Sequence, residues 1–454
     1  MRKLLLVGCA ALALGGGAAA MAQNARNNST FEAIQLFGDV MAVVKQAYVV
    51  PVDDKKLVEA ALSGMMTALD PHSSYLAPAG FGELRERTEG QYSGVGLTIS
   101  AEGGFVKVIS PMDGGPAARA GVQAGDVISS IEGMTAAGLS VSEVSEKLRG
   151  AAGTDVRVTF LRDGSEPLEV TLTREIIKIE SVTGRVEGDF GYVRISTFNE
   201  NTGRELNEVM ARLQGENPNI KGYVLDLRNN GGGLLTAAIA VSDAFLERGE
   251  IVSQRGRRPE QIERYSARPG DLANGLPVVV LVNYGSASAS EIVAGALKDH
   301  QRATIVGLTS FGKGSVQTVI PMRGGQDGAV SITTARYYTP SGASIQKIGI
   351  EPDLEVSRSF AEAGIVARSN FIYSEAAYST ALDASIGAER KGPHVPFEAP
   401  GEDYPDDKDY QLERAFDVLR AGGDLTELAA APEGIVVTPP GTEPAQMAAT
   451  ATPE

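Results

Sequence analysis

The sequence predicts a multidomain α/β protein, and three observations carry that expectation. Strand and helix patterns alternate through residues 177–355, the order that builds a largely parallel sheet covered by helices. From Tyr92 to about residue 175 the chain instead runs as short β-rich stretches split by Gly, Asp and Pro, with one helix among them. The 454 residues also leave room for about three domains at ~150 residues each. The expected order is a helical N-terminal segment, a β-rich module, a layered α/β core, and a helical C-terminal segment with a disordered tail.

Taken in order, Arg2 and Lys3 precede an apolar run from Leu4 that ends in Ala20-Met21-Ala22, a small-x-small cleavage site. Residues 1–22 are therefore expected to be a signal peptide, with the mature chain exported to the periplasm. The alternative is an uncleaved inner-membrane anchor, for which the run is barely long enough and carries Gly15, Gly16 and Gly17. Leu6-Val7-Gly8-Cys9 looks like a lipoprotein acylation box, but only about five apolar residues precede the cysteine, too few for a signal core.

Residues 23–88 form the N-terminal helical region. Phe31, Ile34, Phe37, Val40 and Val44, then Leu57, Val58, Ala61, Leu62 and Met65, suit two amphipathic helices broken near Pro51. Residues 89–175 hold the β-rich module, with strands near 96–100, 105–109, 127–131, 156–161 and 168–172 and a helix from Val141 to Arg149. The core, residues 176–358, is expected to contain strands at 191–195, 222–227, 277–282, 304–306 and 315–320, and helices at 204–213, 234–246 and 289–300. Residues 359–431 make a C-terminal helical region in which the one credible helix is Tyr410 to Leu419. The Ala/Pro/Thr/Glu-rich residues 432–454 cannot bury a core and are expected to be disordered.

Composition narrows the chemistry. Lys plus Arg (41) against Asp plus Glu (57) gives a net charge of −16, which argues against nucleic acid as a partner. One cysteine and three histidines (His72, His300 and His394) leave little for a metal site or a thiolate nucleophile, so neither metal nor cofactor is expected.

In the β-rich module, Gly94 and Gly96 flank Val95 just before the strand Leu97-Thr98-Ile99, so backbone N–H groups there can converge on an anion such as a chain-terminal carboxylate. A peptide added along that strand would place its last side chain between Leu97, Ile99 and the helix positions Val141, Val144 and Leu148, spaced i, i+3, i+7. Equally, the glycines turn the chain and the helix residues are core. Pro116-Ala117-Ala118-Arg119-Ala120-Gly121-Val122, Gly125-Asp126-Val127-Ile128, Ile131 and Gly133 resemble the middle of a PDZ domain. That resemblance favours binding of a protein C-terminus.

The densest chemical signal is Gly285-Ser286-Ala287-Ser288-Ala289-Ser290-Glu291, a small-residue turn between a buried strand and a helix. Ser288-x-x-Glu291 reads first as a capping box. A serine there also sits beside a helix N-terminus, whose amides and dipole favour charge developing on a carbonyl oxygen. A second donor is available in the turn Asn229-Asn230-Gly231-Gly232-Gly233, which reads as well as a tight turn. His300 and Asp299 lie about 18 and 16 Å along a continuous helix from Ser288, out of reach of proton transfer, and Asp299 is expected to hold a loop. His72 and His394 fall in segments far from the core. Lys313, between two glycines on a loop that can return to the helix start, remains as the base. Burial depresses a lysine pKa, and Gln317 can accept from its ammonium and aim it. Gly307-x-x-x-x-Gly312-Lys313 imitates a phosphate loop, but Gly314 replaces the required Ser or Thr and strand follows it, not helix.

Ser286 to Glu291, Lys298 to Ala303 and Thr309 to Gln317 together resemble the core of the carboxy-terminal processing protease family, PDZ-containing Ser/Lys peptidases. Asp226 to Gly232 is similar to that family's oxyanion loop, and Leu69 to Leu76 to its helical lead-in. The resemblance implies a PDZ domain at 89–175 feeding a serine protease core at 176–358. It also implies Ser288 as nucleophile, Lys313 as general base, Gln317 as its orienting residue, and the amides of Ala289 and Gly232 as oxyanion donors. Gly231 stands where the family usually has Pro, which makes the loop more pliant. The implied partners are protein substrates with exposed C-termini, an adaptor protein in some systems, and further copies of the chain in a homo-oligomer, a dimer or higher. Two rival readings remain. One is a catalytically silent PDZ scaffold; the other is an acyl-CoA enzyme, which would have no use for residues 89–175.

Overall fold

The computed structural model describes residues 30–162, 164–258, 260–360, 362, 374–383, 397–405, 407–425, 428 and 434–436. The expected signal peptide, His394 and most of the tail lie outside them. Two units are distinct, divided after Met65. The first contains the helix 30–47 and most of the helix Asp54–Thr67, with the break around Pro51, and Lys45 Nζ donates to Asp54 Oδ2 across it at 2.7 Å. Its apolar residues are not covered within the unit: Phe31, Ile34, Phe37, Val40 and Val43 are exposed.

The first full helix of the second unit lacks an apolar stripe. The helix Pro78–Glu89 buries no side chain; Pro78 starts it and Gly90, left-handed, ends it. Before it, Ser74–Leu76 is a strand paired antiparallel with Ala329–Tyr338, so the expected helical lead-in at 69–76 is corrected to an extended segment. The β-rich module follows as an antiparallel sheet in the order Leu97–Glu102, Phe105–Pro111, Val127–Ile131, Asp155–Leu161, Leu168–Thr173. Its helix Val141–Leu148 is capped by Ser140 and Glu143. The chain enters and leaves on a two-stranded ribbon, Gln91–Gly94 against Glu175–Lys178, so the two linkers run side by side.

The core is an eight-stranded sheet in the order Val182–Glu187, Phe190–Ile195, Tyr223–Asp226, Val278–Val282, Thr304–Gly307, Leu354–Val356, Phe397–Pro400, Gly434–Val436. The first and last pairs are antiparallel and all between are parallel. Val278–Val282 is buried along its whole length, as a strand covered on both faces must be. Val278, Val280 and Val282 meet the helices Thr202–Glu216, Leu235–Asp243 and Ala289–Asp299; Val279 and Leu281 meet the helix Tyr410–Arg420. The C-terminal region is therefore not simply helical. It supplies the outer strand Phe397–Pro400, and Gly434–Val436, placed by sequence in the disordered tail, pairs with it.

A second, antiparallel sheet has Ala329–Tyr338 at its centre, with Ser315–Pro321 along one edge and Ser74–Leu76 and Glu250–Gly256 on the other. Three neighbouring parallel strands of the core sheet end side by side. Their carboxyl ends release three loops: 227–234 after Tyr223–Asp226, 283–288 after Val278–Val282, and 308–314 after Thr304–Gly307. Open parallel sheets place their ligand sites at such strand ends.

Candidate active site

The middle loop carries three serines whose surroundings differ. Ser286 is fully buried; its Oγ donates to Leu227 O at 2.8 Å and accepts from Asn283 N at 3.0 Å. Ser290, also buried, donates to Asn230 O at 2.8 Å. Ser288 alone keeps part of its surface, and it sits at φ 56, ψ −109, a conformation a residue with a Cβ adopts only under constraint. The constraint is visible on both sides: Ala287 N donates to Asn230 O at 3.0 Å, and Ser288 N donates to Glu291 Oε2 at 2.7 Å.

Glu291 does more than cap its helix. It is fully buried, and each oxygen accepts twice: Oε1 from Ser310 Oγ and Gly312 N, both at 2.6 Å, and Oε2 from Ser288 N and from Lys313 N at 2.9 Å. One carboxylate thereby ties the Ser288 turn to the Lys313 loop. Burial pushes its pKa up to about 7, against the pull of those four donors. Sequence spacing shows Glu291 only as a capping partner, because the bonds to Gly312 and Lys313 span 21 and 22 residues.

Lys313 Nζ donates to Gln317 Oε1 at 2.5 Å. Gln317 is itself pinned, its Nε2 donating to Ser315 Oγ at 3.0 Å and to Thr333 Oγ1 at 3.1 Å, so the amide oxygen is turned toward the lysine. Burial lowers the Lys313 pKa, while the charges of Glu375, Glu291 and Asp70 oppose that shift from a distance; among the described residues Lys313 has no ion-pair partner. The amine and Ser288 Oγ are not hydrogen-bonded to each other. What joins the two residues is backbone, through Glu291.

Gly232, from the first loop, closes on the same point. At φ 100 it takes a conformation suited to glycine, and a Cβ there would lie 2.9 Å from Ser288 Cβ and 3.0 Å from Ala289 N. Its N–H donates to Asn230 Oδ1 at 2.9 Å. Ala289 N belongs to the first turn of its helix, where amides have no intrahelical acceptor. Gly231 is exposed with open space around its Cα. The structure therefore gathers Ser288, Ala289, Gly232, Lys313 and Gln317 at the ends of three adjacent strands.

Other histidine and acidic positions sort themselves. His300 Nε2 is 2.7 Å from Glu250 O, away from Ser288, and Asp299 Oδ2 accepts from Ser341 N at 2.8 Å, holding a loop as expected. His72 corrects the sequence reading. Its Nε2 lies 2.7 Å from Glu375 Oε2, Glu375 Oε1 accepts from Gln346, and Gln346 Oε1 accepts from Gly314 N next to Lys313. The segment carrying His72, expected far from the core, lies behind the lysine.

In the β-rich module Leu97–Glu102 pairs on one side only, with Phe105–Pro111, which leaves it at the sheet edge. Leu97, Ile99 and Val141 keep part of their surface beside it, whereas Val95, Val144 and Leu148 are buried in the module's own core. Val144 and Leu148 are thus core residues, because their helical stripe faces the sheet. Gly96 is left-handed at φ 71, but Gly94 is a strand residue paired with Glu175.

Residues 189–356 match peptidase family S41, residues 107–162 a PDZ domain, and residues 16–79 the N-terminal domain of the activating protease CtpB. The chain is 49% identical over 348 residues, 75% of its length and 80% of the relative's, to a carboxy-terminal-processing protease of Bartonella bacilliformis. It is 39% identical over 329 residues, 67% of its length and 69% of the relative's, to a chloroplastic C-terminal processing peptidase of Tetradesmus obliquus. Against a carboxyl-terminal-processing protease of Synechocystis it is 39% identical over 325 residues, 69% of its length and 74% of the relative's. Together with the site geometry these matches show that the chain belongs to the carboxy-terminal-processing proteases of peptidase family S41 and is a serine-type peptidase.

Proposed function

We propose that this chain is an exported endopeptidase of Ser–Lys type that binds protein C-termini through residues 89–175 and cleaves the bound chain at Ser288. The neutral Lys313 amine takes the Ser288 hydroxyl proton as Oγ attacks the scissile carbonyl carbon. The negative charge that forms on the carbonyl oxygen is held by the amides of Ala289 and Gly232, where the oxyanion replaces Asn230 Oδ1 as the acceptor of Gly232 N–H. The Lys313 ammonium then protonates the leaving amine, and the C–N bond breaks to leave an acyl-Ser288 ester. Water, deprotonated by the same amine, hydrolyses that ester and restores the hydroxyl. Gln317 keeps the lysine in line throughout. The observation that carries this reading is Ser288 itself, a partly exposed serine in a strained backbone, linked through one buried carboxylate to the loop of a lysine that has no ion-pair partner among the described residues.

Substrates would arrive as an added strand beside Leu97–Glu102, with the terminal carboxylate at the amides around Gly96 and the last side chain against Leu97, Ile99 and Val141. The uncovered apolar stripe of the helix 30–47 supports assembly into a dimer or higher homo-oligomer, and an adaptor protein fits the same scheme. The decisive test is Ser288→Ala. Cleavage of a peptide substrate should fall by about 10⁴-fold or more, while binding of a peptide with a free C-terminal carboxylate is retained. Undiminished cleavage ends the proposal; wild-type protein that binds but never cleaves returns the scaffold reading. Export is tested by the amino terminus of mature protein from the periplasm, expected at Gln23.

A further inference from the structure

Arg228 lies four residues before Gly232, buried to 6% exposure, and every N–H of its guanidinium is used. Nε donates to Asp226 Oδ1 at 3.0 Å and Nη2 to Asp226 Oδ2 at 2.7 Å. The other edge faces a different part of the chain: Nη1 and Nη2 donate to the two oxygens of Asp409, both at 2.8 Å, and Nη1 also to Gln411 Oε1 at 3.0 Å. Five donors meet five acceptors, leaving the group one orientation. Asp409 is the N-cap of the helix Tyr410–Arg420, and Gln411 is fixed in turn by donating to Val356 O at 2.7 Å.

That helix has another means of docking. Leu412, Ala415, Phe416, Val418 and Leu419 pack on Val224, Val279, Leu281 and Val306 of the core sheet. A buried ion pair adds little to such docking, since desolvation offsets most of its attraction; what it supplies is a single geometry. The geometry is passed along the loop. Asn229 and Asn283 exchange hydrogen bonds of 2.9 Å, and Asn230 O accepts from Ala287 N and Ser290 Oγ on either side of Ser288. Asn230 Oδ1 then accepts from Gly232 N.

We propose that Asp409, assisted by Gln411, is a positioning residue for the peptidase reaction: it pins Arg228 and so sets the Arg228–Gly232 loop against Ser288, making the C-terminal segment part of the oxyanion site's support. The inference rests on the reading of Gly232 and Ala289 as oxyanion donors. It assigns a role in the reaction to a residue outside the span that matches the peptidase family, which ends at 356.

The same helix supplies the control. Arg414, 2% exposed, pairs with Glu398 at 2.7 and 3.2 Å, facing the outer strand and not the loop. Asp409→Ala, Asp409→Asn and Glu398→Gln in the full chain are compared for kcat, KM and Tm on one fluorogenic peptide. Asp409→Ala should lower kcat by about 10- to 100-fold, part of what losing an oxyanion donor costs, with KM little changed. Asp409→Asn, which keeps one acceptor oxygen, should fall between that variant and the parent and serves where the alanine variant does not fold. Glu398→Gln should lower Tm yet leave kcat at the parent value. Full kcat in folded Asp409 variants overturns the inference, as does a kcat loss in Glu398→Gln matching theirs at equal loss of Tm. Ser288→Ala separates the levels: if it stays active the catalytic reading falls, and if it is inactive while the Asp409 variants are not, only this inference falls.

Discussion

The loops that follow Tyr223–Asp226 and Thr304–Gly307 each carry a cation into the interior, and their surroundings drive the two in opposite directions. Around Arg228 burial opposes the charge, but Asp226 and Asp409 more than compensate, and the group stays protonated far beyond any physiological pH. Around Lys313 burial again opposes the charge, and here it wins. The carboxylates around it are committed elsewhere and form no ion pair with the amine: the two oxygens of Glu291 already accept from four other donors. Glu375 is likewise engaged, by Gln346 and His72. Comparable desolvation thus yields a permanent anchor where carboxylates remain available and a titratable base where they have been used up.

The sharpest way to break that contrast is Lys313→Met, which removes the base and the desolvated charge together. Peptide hydrolysis should drop by about 10³- to 10⁴-fold, the scale of a lost general base in a covalent mechanism. Stability should move the other way. A lysine whose folded pKa lies below the ordinary 10.5 disfavours the fold at pH values under 10.5, increasingly so down to the folded pKa and evenly below it. The Met variant should therefore melt higher than the parent at pH 7, the advantage shrinking to nothing as pH approaches 10.5. A variant that melts lower at neutral pH and keeps that deficit at high pH contradicts the account of Lys313. In the parent, kcat/KM should rise with pH as Lys313 loses its proton, with Glu291 contributing near pH 7 because it serves its four donors only when ionised.

Arg228→Met is the matched change in the other loop. It strips the main partner from Asp226, which is fully buried, and from Asp409, which is partly exposed, and should cost about 3–5 kcal/mol in denaturant unfolding, the loss expected when one member of a buried ion pair is removed. A change under about 1 kcal/mol would mean that the two carboxylates are solvated or paired elsewhere, and the anchor description would fail.

The two loops were not equally legible. Lys313 and Gln317 are four residues apart on a loop and strand, and Ser288 follows a run of Val-Val-Val-Leu-Val that only a buried strand accommodates; local pattern and family resemblance therefore reach all three. Arg228 and Asp409 are separated by 181 residues, and His72 and Glu375 by 303, so neither pairing leaves any periodicity to read. The helix Pro78–Glu89 leaves no periodic signal in the sequence because it has no apolar stripe, only a proline start and a glycine stop. The strands Glu250–Gly256 and Ala329–Tyr338 show no clean alternation, since Ile251 and Val252 are buried side by side and Thr333 and Thr334 sit mid-strand, and their partners are supplied by distant chain. In the PDZ module the helical spacing of Val141, Val144 and Leu148 was evident, but spacing alone does not say which member faces the groove and which the core.

The mildest test converts one loop's environment toward the other's. Gln317→Glu places a carboxylate where the amide oxygen now accepts from Lys313 at 2.5 Å, giving the lysine the counter-ion that Arg228 enjoys. The position tolerates the exchange, since the hydroxyls of Ser315 and Thr333, which now accept from Gln317 Nε2, can rotate and donate. The lysine's proton should be held more tightly, moving the pH–rate profile upward by about one unit and cutting the rate at pH 7 by about tenfold, with recovery at high pH. Gln317→Leu removes the acceptor and further desolvates the amine, so its profile should move toward lower pH while the maximal rate falls through lost alignment. Profiles that shift the same way in both variants would show that Gln317 acts on something other than the lysine's charge.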